Sequence, residues 1–125
     1  MPIQFERGEI IKMSGDYDIR ILQGSDKHIV LTLKNDGSVI DLTGYTANMQ
    51  VRNRTSSEII LDELTTSNSR IEIKEAEGQI ILKFPSSVST DYNFVSAVYD
   101  VEVYAGGRAR RLIQGGFLVD REVTR

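Results

Sequence analysis

Alternation with a period of two constrains this chain more than any other feature. Ile29, Leu31 and Leu33 alternate with Val30 and Thr32; Tyr45, Ala47, Met49 and Val51 alternate with Thr46, Asn48 and Gln50. Ile71 and Ile73 flank Glu72, Ile80, Leu82 and Phe84 face away from Lys83, and Tyr99, Val101 and Val103 flank Asp100 and Glu102. Side chains on an extended strand point to opposite faces in turn, so each of these stretches has one apolar face and one wet face. Helical spacing is missing over any window of about eleven residues or more.

The turn residues agree. Asn35-Asp36-Gly37-Ser38 lies between two apolar runs and reads as a hairpin, Glu77-Gly78 divides two more strands, and Gly106-Gly107 suits a two-residue turn that needs positive φ. Gly115-Gly116, inside the last apolar stretch, suggests a bulge or a close backbone approach. The expected strands are 18–23, 27–34, 38–41, 45–52, 58–63, 70–75, 79–84, 96–104, 108–114 and 116–120. Short strands recurring at this spacing predict an all-β, two-sheet antiparallel sandwich. Pro85 followed by Ser86 and Ser87 predicts one helical turn across an end of it. Tyr99 and Val101 fill the places of the late-strand tyrosine and the core position two residues on that immunoglobulin-type domains carry.

With 125 residues the chain has room for one domain. Residues 18–125 are expected to form the sandwich. Residues 1–17 scatter Ile3, Phe5, Ile10, Ile11 and Met13 among charges, with Gly8 and Gly15 as joints. They are expected to form an N-terminal arm reaching across a neighbour, against the plainer reading of a first strand lying on the sheet.

Composition narrows the chemistry. The chain has no cysteine and one histidine, His28, so disulfides, thiolate nucleophiles and multi-histidine metal sites are excluded. Ser25, Asp26 and His28 cannot supply a catalytic triad from one short loop, because nucleophile, base and orienting acid must converge from different places. Asp16 and Asp18 form a short acidic pair without a cleft, and Asp62 and Glu63 on one strand point to opposite faces. An enzyme is not expected, nor a cofactor or a metal.

The net charge of -3 does not favour nucleic acid. It hides an asymmetry: residues 1–100 hold 10 basic and 15 acidic side chains, while residues 101–125 hold five arginines against three acids. Arg108, Arg110 and Arg111 follow the Gly106-Gly107 turn, and alternation puts Arg108 and Arg110 on one face and Arg111 on the other. These arginines, with Phe5, Ile10 and Ile11 of the arm, are the candidate partner-binding residues. The first residues lack the basic-then-apolar order of a signal peptide, and no apolar run approaches the ~20 residues of a membrane span. The expectation is a chain made in a cytoplasm, with no membrane partner.

Asp36-Gly37-Ser38-Val39-Ile40-Asp41-Leu42-Thr43-Gly44 leads into the alternating strand that ends at Arg52. Later come Tyr99-Asp100-Val101-Glu102-Val103, then Arg111-Leu112-Ile113-Gln114-Gly115, then Glu122-Val123-Thr124-Arg125. In this order the segments resemble the N-terminal domain of phage baseplate upper proteins and small tailed-phage proteins of the same pattern, over most of the chain from Asp16 onward. The resemblance implies an immunoglobulin-like β-sandwich in the virion of a tailed phage. Its expected partners are copies of itself and tail, baseplate, neck or fibre proteins, and its expected role is to help attach fibres or receptor-binding proteins. The competing expectations are a head decoration protein and a carbohydrate-binding module. The latter needs an exposed aromatic platform, and Phe84, Tyr45 and Tyr99 read as core.

Overall fold

The computed structural model describes residues 4–6, 10–12 and 15–122, with side chains from Asp16 onward. Two six-stranded sheets face each other. In the first, β2 (Ile10–Lys12), β1 (Gln4–Glu6), β5 (Lys27–Asn35), β10 (Gln79–Phe84) and β9 (Ile71–Lys74) lie in that order, with β6 (Ser38–Val39) paired to β5. In the second the order is β3 (Gly15–Asp16), β12 (Arg108–Asp120), β11 (Ser96–Ala105), β7 (Thr46–Arg52) and β8 (Ile60–Thr65), with β4 (Ile19–Leu22) also on β12. The chain is a two-sheet β-sandwich, as its alternation predicts.

The inward sets close one core. Ile29, Leu31 and Leu33 of β5 and Ile80, Leu82 and Phe84 of β10 meet Ala47, Met49 and Val51 of β7 and Tyr99, Val101 and Val103 of β11. Phe117 of β12 is the hub of an aromatic cluster: its ring centroid lies 5.7 Å from Phe84, 5.8 Å from Tyr92 and 6.4 Å from Tyr99. The last two are edge-on, the arrangement ring quadrupoles favour.

The turns take the expected forms. Asp36 and Gly37 have φ of 52° and 82°, and Gly106 and Gly107 of 56° and 77°, so both hairpins use turns whose two central residues are left-handed. Asp41-Leu42-Thr43-Gly44 crosses from the first sheet to the second. Asp41 Oδ1 accepts from the Thr43 amide at 2.9 Å and the Thr43 hydroxyl at 2.6 Å, and these bonds hold the Asp41 carboxyl below its ordinary range. Gly44 takes a φ of 83° and Leu42 is fully buried. The segment is a turn that drives a leucine into the core. Ser86–Ser89 forms the expected helical turn, α1.

Three expectations need correction. The sandwich is not purely antiparallel, because β12 pairs parallel with β3 and β4. A parallel pair needs a long return path, and nearly the whole chain separates these strands. Secondly, β12 runs unbroken through Gly115 and Gly116 instead of forming two strands. Its register shift lies upstream: Arg111 pairs with Glu102 and Ile113 with Val101, so Leu112 is the extra residue. The bulge lets the consecutive Leu112 and Ile113 both be buried. The glycines serve the other expected purpose, since a Cβ on Gly115 would collide with the Tyr17 carbonyl. Thirdly, the strand expected at 58–63 is set later, at Ile60–Thr65.

Within residues 1–17, the backbones of β1 and β2 pair antiparallel, and β1 also pairs with β5, Phe5 opposite Leu33. Gly15 and Asp16 pair in the second sheet. The expected arm boundary after residue 17 lies between the pairings of β3 and of β4 with β12. The side chains of Phe5, Ile10 and Ile11 lie outside the described residues.

Candidate functional site

Two surfaces carry chemistry, both built by the β11–β12 hairpin. The first is its tip. Arg108 pairs with Ala105 and Arg110 with Val103, so both arginines stand on the inward side of the second sheet. The hairpin there runs past the end of the core, and both side chains are exposed. They flank a notch of about 150 Å³ whose floor is Leu33, Ile40, Tyr45, Val103 and Ala105. Among the described residues neither arginine forms an ion pair. Arg111 takes the opposite face, as alternation requires, and its Nε lies 3.4 Å from Asp100 Oδ2. The three arginines of the sequence motif therefore belong to two different surfaces.

The second surface is the outer face of the second sheet. It holds an open groove of about 510 Å³, within the size range of ligand sites. Its central row is fixed by strand register: Glu63 of β8 stands beside Gln50 of β7, Gln50 beside Asp100 of β11, Asp100 beside Gln114 of β12, and Gln114 beside Asp16 of β3. Hydrogen bonds run along it. Gln50 Nε2 donates to Glu63 at 2.8 Å, Arg111 Nη1 to Gln114 Oε1 at 3.0 Å, and Gln114 Nε2 to Asp16 at 3.2 Å. Arg52 grips Gln50 Oε1 through Nε at 3.2 Å and Nη2 at 2.7 Å. A parallel row carries Asn48, Glu102 and Arg111. Tyr104, 38% exposed, stands at the end of the face. Partial burial, then the charges of Glu102 and Asp100, raise the Tyr104 hydroxyl above its ordinary range.

The sequence motifs weighed as catalytic have other duties. Ser25 Oγ donates to the Leu22 carbonyl at 2.6 Å, Asp26 accepts from the Ser86 amide at 2.6 Å, and His28 is exposed on β5 opposite Lys83. Asp18 accepts from the Gly116 amide at 2.9 Å. Asp62 and Glu63 do point to opposite faces. Asp62 points inward, where Arg70 meets it in a fork, Nη1 to Oδ1 at 3.1 Å and Nη2 to Oδ2 at 2.8 Å, and the Tyr92 hydroxyl also donates to it. Among the described residues no cluster of three or more potential metal-binding side chains occurs. No helix among them is long and apolar enough to cross a membrane.

The outer-face residues escaped the sequence reading. Asn48, Gln50 and Arg52, with Asp100, Glu102 and Tyr104, are the polar partners of the alternation that revealed the core. The signal is present in the sequence, but alternation alone reads as a wet face.

No family model matches the chain, and no curated protein matches it. Among solved structures it is similar to a titin substructure, at 15% identity and a TM-score of 0.46, covering 100% of this chain and 53% of that one. The chain thus spans about half the length of that structure. It is also similar to the N-terminal domain of ORF48 of phage TP901-1, at 12% identity and a TM-score of 0.49, covering 85% of each. These are distant likenesses of shape, one of them to a phage protein domain, and no function passes from either to this chain.

Proposed function

We propose that this chain is a non-enzymatic structural component of a tailed-phage virion. In this reading it is made in the host bacterial cytoplasm and repeats as a homo-oligomer in the particle. It docks on tail, baseplate or neck proteins and helps attach fibres or receptor-binding proteins.

The observation that carries the reading is the hairpin tip, where Arg108 and Arg110, which form no ion pair among the described residues, flank an apolar notch. Interfaces concentrate binding energy where an anchor fills an apolar pocket and arginine forks grip the rim. The fitting partner presents an apolar side chain flanked by carboxylates. The ordered series of phage-like segments between Asp36 and Glu122 supports the same reading.

The test is complementation of a phage lacking this gene with Arg108→Glu/Arg110→Glu. The variant should melt as the parent does, since both side chains are in water, yet be depleted from purified particles. Particles carrying the variant at the parent's copy number overturn the role of the tip. Purified particles that lack the parent protein overturn the virion reading itself.

A further inference from the structure

The geometry points to the outer face of the second sheet as a binding site for a neutral, hydroxyl-rich oligosaccharide. The site is separate from the docking tip and does not depend on it. Three properties of the groove lead there.

First, the groove is preorganised. Gln50, Gln114, Arg52 and Arg111 are each held by hydrogen bonds to neighbours on the same face. A ligand meeting them does not have to freeze them, which removes a main cost of binding. Within the groove the row runs from Gln50 to Asp16 across four strands, and three strand spacings give roughly 14 Å, room for a few sugar rings.

Second, the groove has acceptors that call for donors. Asn48 lines the groove, and its Oδ1 is buried with no partner among the described residues. Leaving a buried acceptor unmade is costly. Glu102, directly across from Asn48 in register, forms no ion pair among the described residues. Sugar hydroxyls are O–H donors that also accept, so one ring can donate to Glu102 while accepting from Arg111, and a shift of the Asn48 amide would let its Oδ1 accept as well. The acidic balance of Asp16, Glu63, Asp100 and Glu102 over Arg52 and Arg111 disfavours an anionic ligand. Asp100 is already engaged by Arg111, and Glu63 and Asp16 by amides, so little free carboxylate is left to draw a cation.

Third, Tyr104 supplies the aromatic platform that the sequence did not show. The aromatics weighed for that role do not: Phe84 and Tyr99 are buried and Tyr45 packs against the core. Tyr104 is exposed and lines the groove. Its ring offers an apolar face to sugar C–H groups, and its hydroxyl stays wet.

The experiment titrates isotope-labelled full chain with chitohexaose, cellohexaose and maltohexaose at millimolar concentration, followed by amide NMR. At least one of the three should shift the Asn48, Gln50, Glu102 and Gln114 signals. Tyr104→Ala should weaken that binding about tenfold or more, and Asn48→Ala, which leaves the aromatic in place, should also weaken it. Arg110→Ala should bind as the parent does. The proposal fails if none of the sugars moves these signals, or if both groove variants bind undiminished. It also fails if a peptide copying residues 105–111 occupies the groove and the sugars do not, which would make the face a contact between copies.

Discussion

Asp62 and Glu63 are adjacent in the chain, yet one lies inside the sandwich and the other on its wet face. Asp62, with its side chain 12% exposed, is locked between the Arg70 guanidinium and the Tyr92 hydroxyl. Arg70 also donates to the Lys83 carbonyl at 3.0 Å. The cluster ties β8, at the edge of one sheet, to the start of β9 at the edge of the other. Glu63 joins an open row of amides and carboxylates that holds no layers together. The alternation of a single strand assigns one carboxylate to holding the sheets and its neighbour to the wet outer face.

The sharpest way to break this comparison is to remove each carboxylate in turn. Asp62→Ala leaves the Arg70 charge in a half-dry place without its counter-ion and should cost about 3–5 kcal/mol. Glu63→Ala should change stability by less than about 0.5 kcal/mol. Urea denaturation of both variants measures the gap, and equal losses would end the distinction. Replacing both members of the inner pair, Asp62→Leu with Arg70→Met, should recover most of the loss, because the penalty comes from the orphaned charge.

The same contrast explains what the sequence reveals. Period two is legible because burial on one face repeats every second residue over whole strands. The turns are legible because positive φ selects Gly, and Asp41 and Thr43 carry their own acceptor and donors. The Asp62–Arg70–Tyr92 cluster is illegible: its members come from β8, the crossing before β9 and the segment after α1, and no local spacing links them. The groove is half-legible. Its residues sit at the polar positions of β7 and β11, but whether a polar face is bare solvent or a row of locked amides depends on register between strands distant in sequence. The bulge at Leu112 is hidden for the same reason, since two apolar neighbours read equally well as one slip in the pattern.

The inner cluster has a second signature. Burial, then the neighbouring Asp62 charge, raises the Tyr92 phenol well above its ordinary range. The folded state therefore resists losing this proton. Its contribution is fully present below the unfolded phenol's pKa of about 10 and is lost as pH rises through the higher folded value. Tyr92→Phe removes a hydrogen bond to a charged group and should cost about 1.5–3 kcal/mol at neutral pH. Its stability should then fall less steeply than the parent's above pH ~10. Thermal melts from neutral to alkaline pH show both effects, and parallel curves for the two proteins would mean that Tyr92 is not held protonated by the fold.

Asp41 is a carboxylate of a third kind, exposed on the surface yet structural like Asp62. The hydroxyl and amide of Thr43 lower its pKa, so folding favours the ionised form. That contribution is present above the ordinary carboxylate range and is lost as pH falls through the depressed folded value. Asp41→Asn keeps an acceptor oxygen and deletes the charge, so it isolates the electrostatic part of the turn. The variant should melt slightly below the parent at neutral pH, and the two melting temperatures should converge as the solution is acidified past the carboxylate range. A gap that stays constant with pH would assign the effect to turn geometry alone. No gap at any pH would place Asp41 beside Glu63, as a surface charge whose removal the sandwich does not register.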